Sequence, residues 1–217
     1  PAENWSRISI GAVSMGQEVA ITSLQLITAL SAIGNGGQWV QPRVVREIIR
    51  DERREQVSPG QRERIIPEEV AEELRTMLTR VVTLGTGRTA QPAGYSAAGK
   101  TGTAQKIDST GRYSPTDFIA SFVGFAPAEA PIVSVAVVLD TPRGKLYHGG
   151  EVAAPVFAKV TGRVLAYLNI PQNQPLPRTR PAPPLERAAV QDLRPGQFES
   201  ASWPGETLLA EAPPVVA

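Results

Sequence analysis

From Thr22 onward the apolar residues Leu26, Ile27, Leu30 and Ile33 recur at three- and four-residue steps, until Gly34, Gly36 and Gly37 end the run. Thr22 and Gln25 have the spacing of a capping box, so the pattern predicts a helix over about 22–35. Val44, Val45, Ile48 and Ile49 form a short stretch rich in β-branched residues. It is answered, beyond a charged segment with a Pro59-Gly60 turn, by Ile65 and Ile66, which predicts a strand pair joined by a solvated loop. Pro67, Glu68 and Glu69 suit the first turn of a second helix, where the unpaired N–H groups and the positive dipole end favour proline and acids. Val70, Leu74, Met77, Leu78 and Val81 supply its apolar stripe, and Gly85 marks its end. Glu72 and Glu73 extend the acidic start into a wet helix face rather than a paired-carboxylate site.

Beyond this helix the period shortens. Tyr95–Ile107, Phe118–Ala126 and Ile132–Leu139 are strand candidates, separated by a Ser109-Thr110-Gly111 turn and by the short link Pro127–Pro131. Links this short imply an antiparallel meander. Val152, Val156, Phe157, Val160, Val164, Leu165 and Leu168 then return to helical spacing, which predicts a long amphipathic helix over Val152–Leu168 packed on that sheet. The expected fold class is α+β: an antiparallel sheet with helices on both faces. After Ile170 periodicity fades, and roughly half of the 20 prolines fall in this last fifth. The expected organisation is one folded domain over 1–170 and a Pro-rich, disordered or polyproline-like tail over 171–217.

Composition narrows the chemistry. None of the 217 residues is a cysteine, which excludes disulfides, thiolate zinc sites and iron–sulfur centres. With Lys+Arg 22 against Asp+Glu 21 there is no field to hold a polyanion, so a nucleic-acid partner is not expected. His148 is the single histidine and has no ligand cluster around it in sequence, so it is assigned a loop or packing role, and neither metal nor cofactor is expected. Asp140 and Arg143 flank a Pro142-Gly144 turn and are expected to form a weak exposed ion pair there. The longest apolar stretch, Ile132–Leu139, is too short to cross a bilayer. The chain opens on Pro1 and enters foldable sequence at once, so it is expected to be the downstream part of a longer protein.

The most informative string is Gly99-Lys100-Thr101-Gly102-Thr103-Ala104, inside a predicted strand. A glycine within a strand weakens it, and its usual benefit is the close approach of another backbone or a ligand. Alternation places Lys100 and Gly102 on one face and Thr101 and Thr103 on the other. Together they offer a cation, two hydroxyls and a main-chain edge to which an extended anionic peptide can pair. As an isolated match, four such common residues also describe an ordinary strand with a solvated lysine.

Five separated blocks give the string its context. In order they are Gly16-Gln17 with Thr22-Ser23-Leu24-Gln25-Leu26, then Ala32-Ile33-Gly34-Asn35-Gly36-Gly37, then Lys100-Thr101-Gly102-Thr103-Ala104. Ala120-Ser121-Phe122-Val123-Gly124-Phe125-Ala126-Pro127 and Gly149-Gly150-Glu151-Val152-Ala153-Ala154-Pro155-Val156-Phe157 complete the set. In these blocks the chain resembles the class B penicillin-binding proteins, in particular the FtsI-type cell-division transpeptidases, over about Trp5 to Ile170. The resemblance implies part of a penicillin-binding, serine β-lactamase-like transpeptidase domain. In that family a serine of a Ser-x-x-Lys motif attacks the D-Ala-D-Ala amide of a peptidoglycan stem peptide, and the acyl group passes to an amine; β-lactams trap the same serine.

Carried across by resemblance, Lys100 sets the electrostatics of the site and attracts the terminal carboxylate. The hydroxyls of Thr101 and Thr103 bind that carboxylate, the Thr103 N–H is an oxyanion donor, and Gly102 keeps the strand edge clear. Ser121 lies on the neighbouring strand candidate, with its orientation open. No serine in the chain is followed three positions on by lysine, and there is no Ser-x-Asn. The nucleophile is therefore expected upstream of Pro1, and these residues alone are expected to be inactive. The resemblance further implies a membrane-anchored parent facing the periplasm or cell exterior, working with a membrane glycan polymerase and division proteins. The alternatives are a β-lactam sensor or serine β-lactamase-like protein, and a non-catalytic binding module.

Overall fold

A computed structural model describes residues 9–176, apart from 15, 17, 18, 52 and 59. The expected Pro-rich tail lies, from residue 177 on, outside the described residues. A short helix α1 (Ser9–Ser14) is followed by α2 (Ser23–Gly34). Thr22 caps α2 as the sequence predicts: its Oγ1 accepts from the Gln25 N–H at 3.2 Å, and Gln25 Oε1 accepts from the Thr22 N–H at 2.9 Å.

The next segment departs from the expected pairing. Strand β1 (Gln38–Val40) pairs with β4 (Arg62–Arg64), whereas β2 (Glu47–Arg50) folds back on β3 (Arg53–Gln56) as a separate antiparallel hairpin. Ile48 and Ile49 thus oppose Glu55 and Arg54, not Ile65 and Ile66. Asp51, at φ 47°, follows β2 where the hairpin turns, and Arg53–Gln56 carries no apolar residue by which a strand could be recognised. Ile65 and Ile66 instead follow β4, where both N–H groups donate to the Gly37 carbonyl. Gly37 permits this approach, since a Cβ there would lie 2.2 Å from Ile66 O.

Helix α3 (Glu68–Thr83) begins after Pro67 with Glu68 and Glu69 in its first turn. Three strands follow, β5 (Ala98–Ile107), β6 (Tyr113–Ala126) and β7 (Val133–Asp140), in the order β5-β6-β7 and antiparallel throughout, as the short links require. The predicted final helix is two: α4 (Gly149–Val152) and α5 (Ala154–Tyr167), separated at Ala153. Pro155 accounts for the break, because it has no N–H to continue the preceding turn but fits the first turn of a new one.

The sheet carries helices on both faces. On one, Phe122, Ala126, Val133, Val135, Val137 and Leu139 pack against Phe157 and Leu165 of α5. On the other, Ala98 and Phe125 meet Leu30 of α2 and Leu78 of α3. Helix α3 serves both cores, since Val82 joins the first. Among the described residues Thr161, fully buried in α5, has no hydrogen-bond partner for its hydroxyl. Thr161→Val replaces the hydroxyl with a methyl of similar size and is expected to raise the unfolding free energy by about 1 kcal/mol in urea titrations.

Residues 170–174 strap this body at the root of β5. The Tyr95 hydroxyl donates to Ile170 O at 2.9 Å, Asn173 and Gln174 N–H groups donate to Gly94 O, and Asn173 Oδ1 accepts from the Ser96 N–H at 2.8 Å. Asn173 Nδ2 also donates to Ser96 Oγ and to Glu129, whose carboxylate accepts from the Ser96 hydroxyl.

Candidate active site

The pairing of β5 with β6 sets Lys100 opposite Val123, Thr101 opposite Phe122, Gly102 opposite Ser121 and Thr103 opposite Ala120. Cross-strand partners share a face, so Lys100, Gly102 and Ser121 lie on the α2/α3 side and Thr101 and Thr103 on the α5 side, as the alternation predicts. Ser121, whose orientation the sequence left open, explains Gly102: a Cβ there would sit 2.4 Å from Ser121 Oγ. Among the described residues the outer edge of β5 pairs with no strand.

Lys100 is exposed, and its ammonium donates to the Thr101 carbonyl at 3.0 Å. Among the described residues no carboxylate forms an ion pair with it. The cation thus has no compensating carboxylate among the described residues. The α5-side face is more crowded. Thr103 Oγ1 accepts from the Gly149 N–H at 3.1 Å, and Thr101 Oγ1 lies 2.9 Å from Thr86 Oγ1. Gly149 seats the start of α4 directly on the sheet, since a Cβ there would lie 2.2 Å from Ser121 O and 2.4 Å from Gly102 O. The Thr89 hydroxyl donates to Gly150 O, which ties the loop after α3 to the same place.

On β6, Phe118 stacks on Tyr147 with centroids 4.5 Å apart, and Tyr147 meets His148 at 4.3 Å. His148 is exposed at the rim of this aromatic surface, and its N–H donates to Glu151 at 3.4 Å. Sequence reasoning did not find Thr86, the Gly149 N–H or the Phe118–Tyr147 stack as neighbours of the motif. The signals were present in the Gly85-Thr86-Gly87 string and the Gly149-Gly150 pair, but turn geometry explains both equally well.

Asp140 and Arg143 do not pair with each other as expected. Asp140 crosses the sheet end to Lys106 Nζ at 2.7 Å, and Arg143 reaches Asp117 at 3.7 Å. The Lys106 hydrogen bond, helped by the Thr141 hydroxyl, holds the Asp140 carboxyl below its ordinary range. Hydrogen bonds from the Thr110 hydroxyl and the Arg112 and Thr110 N–H groups do the same for Asp108 in the β5–β6 turn. A cleft of about 230 Å³ between α2 and the start of β7, lined by Ser31, Asn35, Gln38 and Ile132 among others, includes none of the Lys-Thr-Gly residues.

Residues 1–162 match the family described as the penicillin binding protein transpeptidase domain. The stage V sporulation protein D of Bacillus subtilis is 38% identical over 173 residues, which cover 78% of this chain and 27% of that protein. The peptidoglycan D,D-transpeptidase FtsI of Escherichia coli is 35% identical over 169 residues, or 77% of this chain and 27% of its own length. Among solved structures, the apo form of penicillin binding protein 3 from Mycobacterium tuberculosis superposes with a TM-score of 0.72 at 33% identity, over 81% of this chain and 42% of that one. The same protein complexed with aztreonam gives a TM-score of 0.71 at 30% identity over the same shares. The chain therefore spans about a quarter of the length of the curated relatives it matches. By the family match over residues 1–162 and these relatives, the chain belongs to the penicillin-binding protein transpeptidase family.

Proposed function

We propose that this chain forms the substrate-binding wall of a serine D,D-transpeptidase that cross-links peptidoglycan stem peptides in septal wall synthesis. The nucleophile lies outside these 217 residues. The observation that carries the reading is the outer edge of β5, unpaired among the described residues, with the exposed Lys100 cation on one face of the strand and the Thr101 and Thr103 hydroxyls on the other. A stem peptide ending in D-Ala-D-Ala is extended, has main-chain groups to pair with that edge, and ends in a carboxylate suited to a cation and hydroxyl donors. In the reaction a serine oxygen adds to the penultimate D-Ala carbonyl, its proton passes to a lysine base, and the terminal D-Ala leaves with a proton on its amine. An acceptor amine then displaces the serine. Lys100 and the Thr103 N–H act on the charge that develops at the carbonyl oxygen and on the substrate carboxylate. β-Lactams present the same carboxylate beside a strained amide and occupy the same edge.

The parent protein is then anchored in the cytoplasmic membrane with this domain in the periplasm or cell exterior, where it works with a glycan polymerase and division proteins. Among the described residues no helix is long and apolar enough to cross a membrane. Labelling with a fluorescent penicillin tests the reading. The full-length protein that carries this chain becomes covalently marked, its Lys100→Met variant is acylated about 10²–10³-fold more slowly, and the isolated 217 residues stay unmarked. Covalent label on the isolated chain would overturn the placement of the nucleophile, and an unmarked full-length protein would overturn the function.

A further inference from the structure

The two threonine hydroxyls on the β5 edge differ in what fixes them. A backbone N–H can only donate, so the Gly149 N–H obliges Thr103 Oγ1 to accept, and the single proton of Thr103 is left to point elsewhere. Thr103 is exposed, so that proton is available to a ligand. Thr101 has another hydroxyl as its neighbour, Thr86 Oγ1 at 2.9 Å, and either oxygen can be the donor. If Thr101 donated, it would turn a lone pair toward the edge and repel an anion. If Thr86 donates, Thr101 matches Thr103 and presents a proton, made a stronger donor by the bond it accepts.

Thr86 is well placed to hold that role. Its loop is closed onto the last turn of α3, where the Gly85 and Gly87 N–H groups donate to Val81 O at 3.1 and 3.0 Å. Gly150 lies against its carbonyl, since a Cβ there would sit 2.4 Å from Thr86 O. We propose that Thr86 is a positioning residue: its hydroxyl donates to Thr101, so that both threonines of the edge offer O–H donors and the site selects ligands ending in an anion. The proposal rests on the reading that this edge binds the terminal carboxylate of the substrate.

The test compares second-order acylation rates of the full-length protein with benzylpenicillin and with its methyl ester, which lacks the anion. The wild-type protein reacts faster with the acid. Thr86→Val, which keeps the shape and removes the hydroxyl, lowers the acid-to-ester ratio about tenfold, the effect expected when one hydrogen bond in a chain to a charged group is lost. Thr86→Ser, which restores the hydroxyl, restores most of the ratio, and it remains informative if the valine variant does not fold. A wild-type protein that prefers neither ligand, or reacts with neither, overturns the carboxylate reading and this inference with it. A wild-type preference that persists in Thr86→Val overturns the inference alone. So does a uniform fall for both ligands, or a ratio that Thr86→Ser leaves low, because each marks the hydroxyl as structural.

Discussion

Gly149→Ala is expected to destabilise the domain by roughly 3 kcal/mol or more and to displace the Lys-Thr-Gly strand. The added methyl would lie 2.2 Å from Ser121 O and 2.4 Å from Gly102 O. Both are main-chain oxygens in paired strands, so no flexible side chain can swing aside; either α4 lifts or the β5–β6 pair opens. Lifting α4 also breaks the Gly149 N–H bond to Thr103 Oγ1 and frees that hydroxyl of the Lys-Thr-Gly strand. Thermal unfolding should show a midpoint lower by about 6–12 °C. Penicillin acylation of the full-length protein should fall even at temperatures where the variant remains folded. A midpoint within 2 °C of wild type would mean that the start of α4 does not rest on the sheet as described.

Phe157→Ala is the second large effect, expected to cost about 3–5 kcal/mol in urea or thermal unfolding. Phe157 is fully buried, its ring centre is 4.7 Å from that of Phe122, and it contributes to the cluster that joins α5 to the sheet. A Cβ on Gly124 would meet the Phe157 ring at 3.1 Å, so the ring lies over a glycine that contributes no side chain to the space it leaves. Val160→Ala, on the same helix but 40% exposed, should cost under about 1 kcal/mol. Equal losses in the two variants would contradict the burial described for α5.

The sequence made the core elements legible where burial leaves a periodic trace. Helix α2 announced itself through Thr22, Gln25 and the Leu26–Ile33 stripe, and the meander through three apolar runs with links too short for parallel strands. The β2–β3 hairpin was misread because Arg53–Gln56 is charged and exposed throughout, so its pairing is written only in backbone hydrogen bonds and in Asp51 at the turn. The face assignments of Lys100, Thr101, Gly102 and Thr103 followed from alternation alone, and the register bears them out. Their neighbours did not follow. Thr86 stands 15 residues from Thr101 and Gly149 stands 46 from Thr103, and nothing local links them. Such contacts depend on where α3 ends and α4 lands, which packing decides. The Asp140–Arg143 expectation failed for the same reason, since a partner on the far strand outcompetes the nearer one in sequence.

The strap through Asn173 gives the segment after α5 a say in where Lys100 stands. Ser96 is bonded both to Asn173 and to Glu129, and only three residues separate it from Lys100, so the footing of the edge strand depends on side chains supplied after α5 has finished. A cut at the last helix would unmoor that footing while leaving every sheet hydrogen bond in place. Fusions and tags are therefore better attached beyond residue 176 than at the helix end.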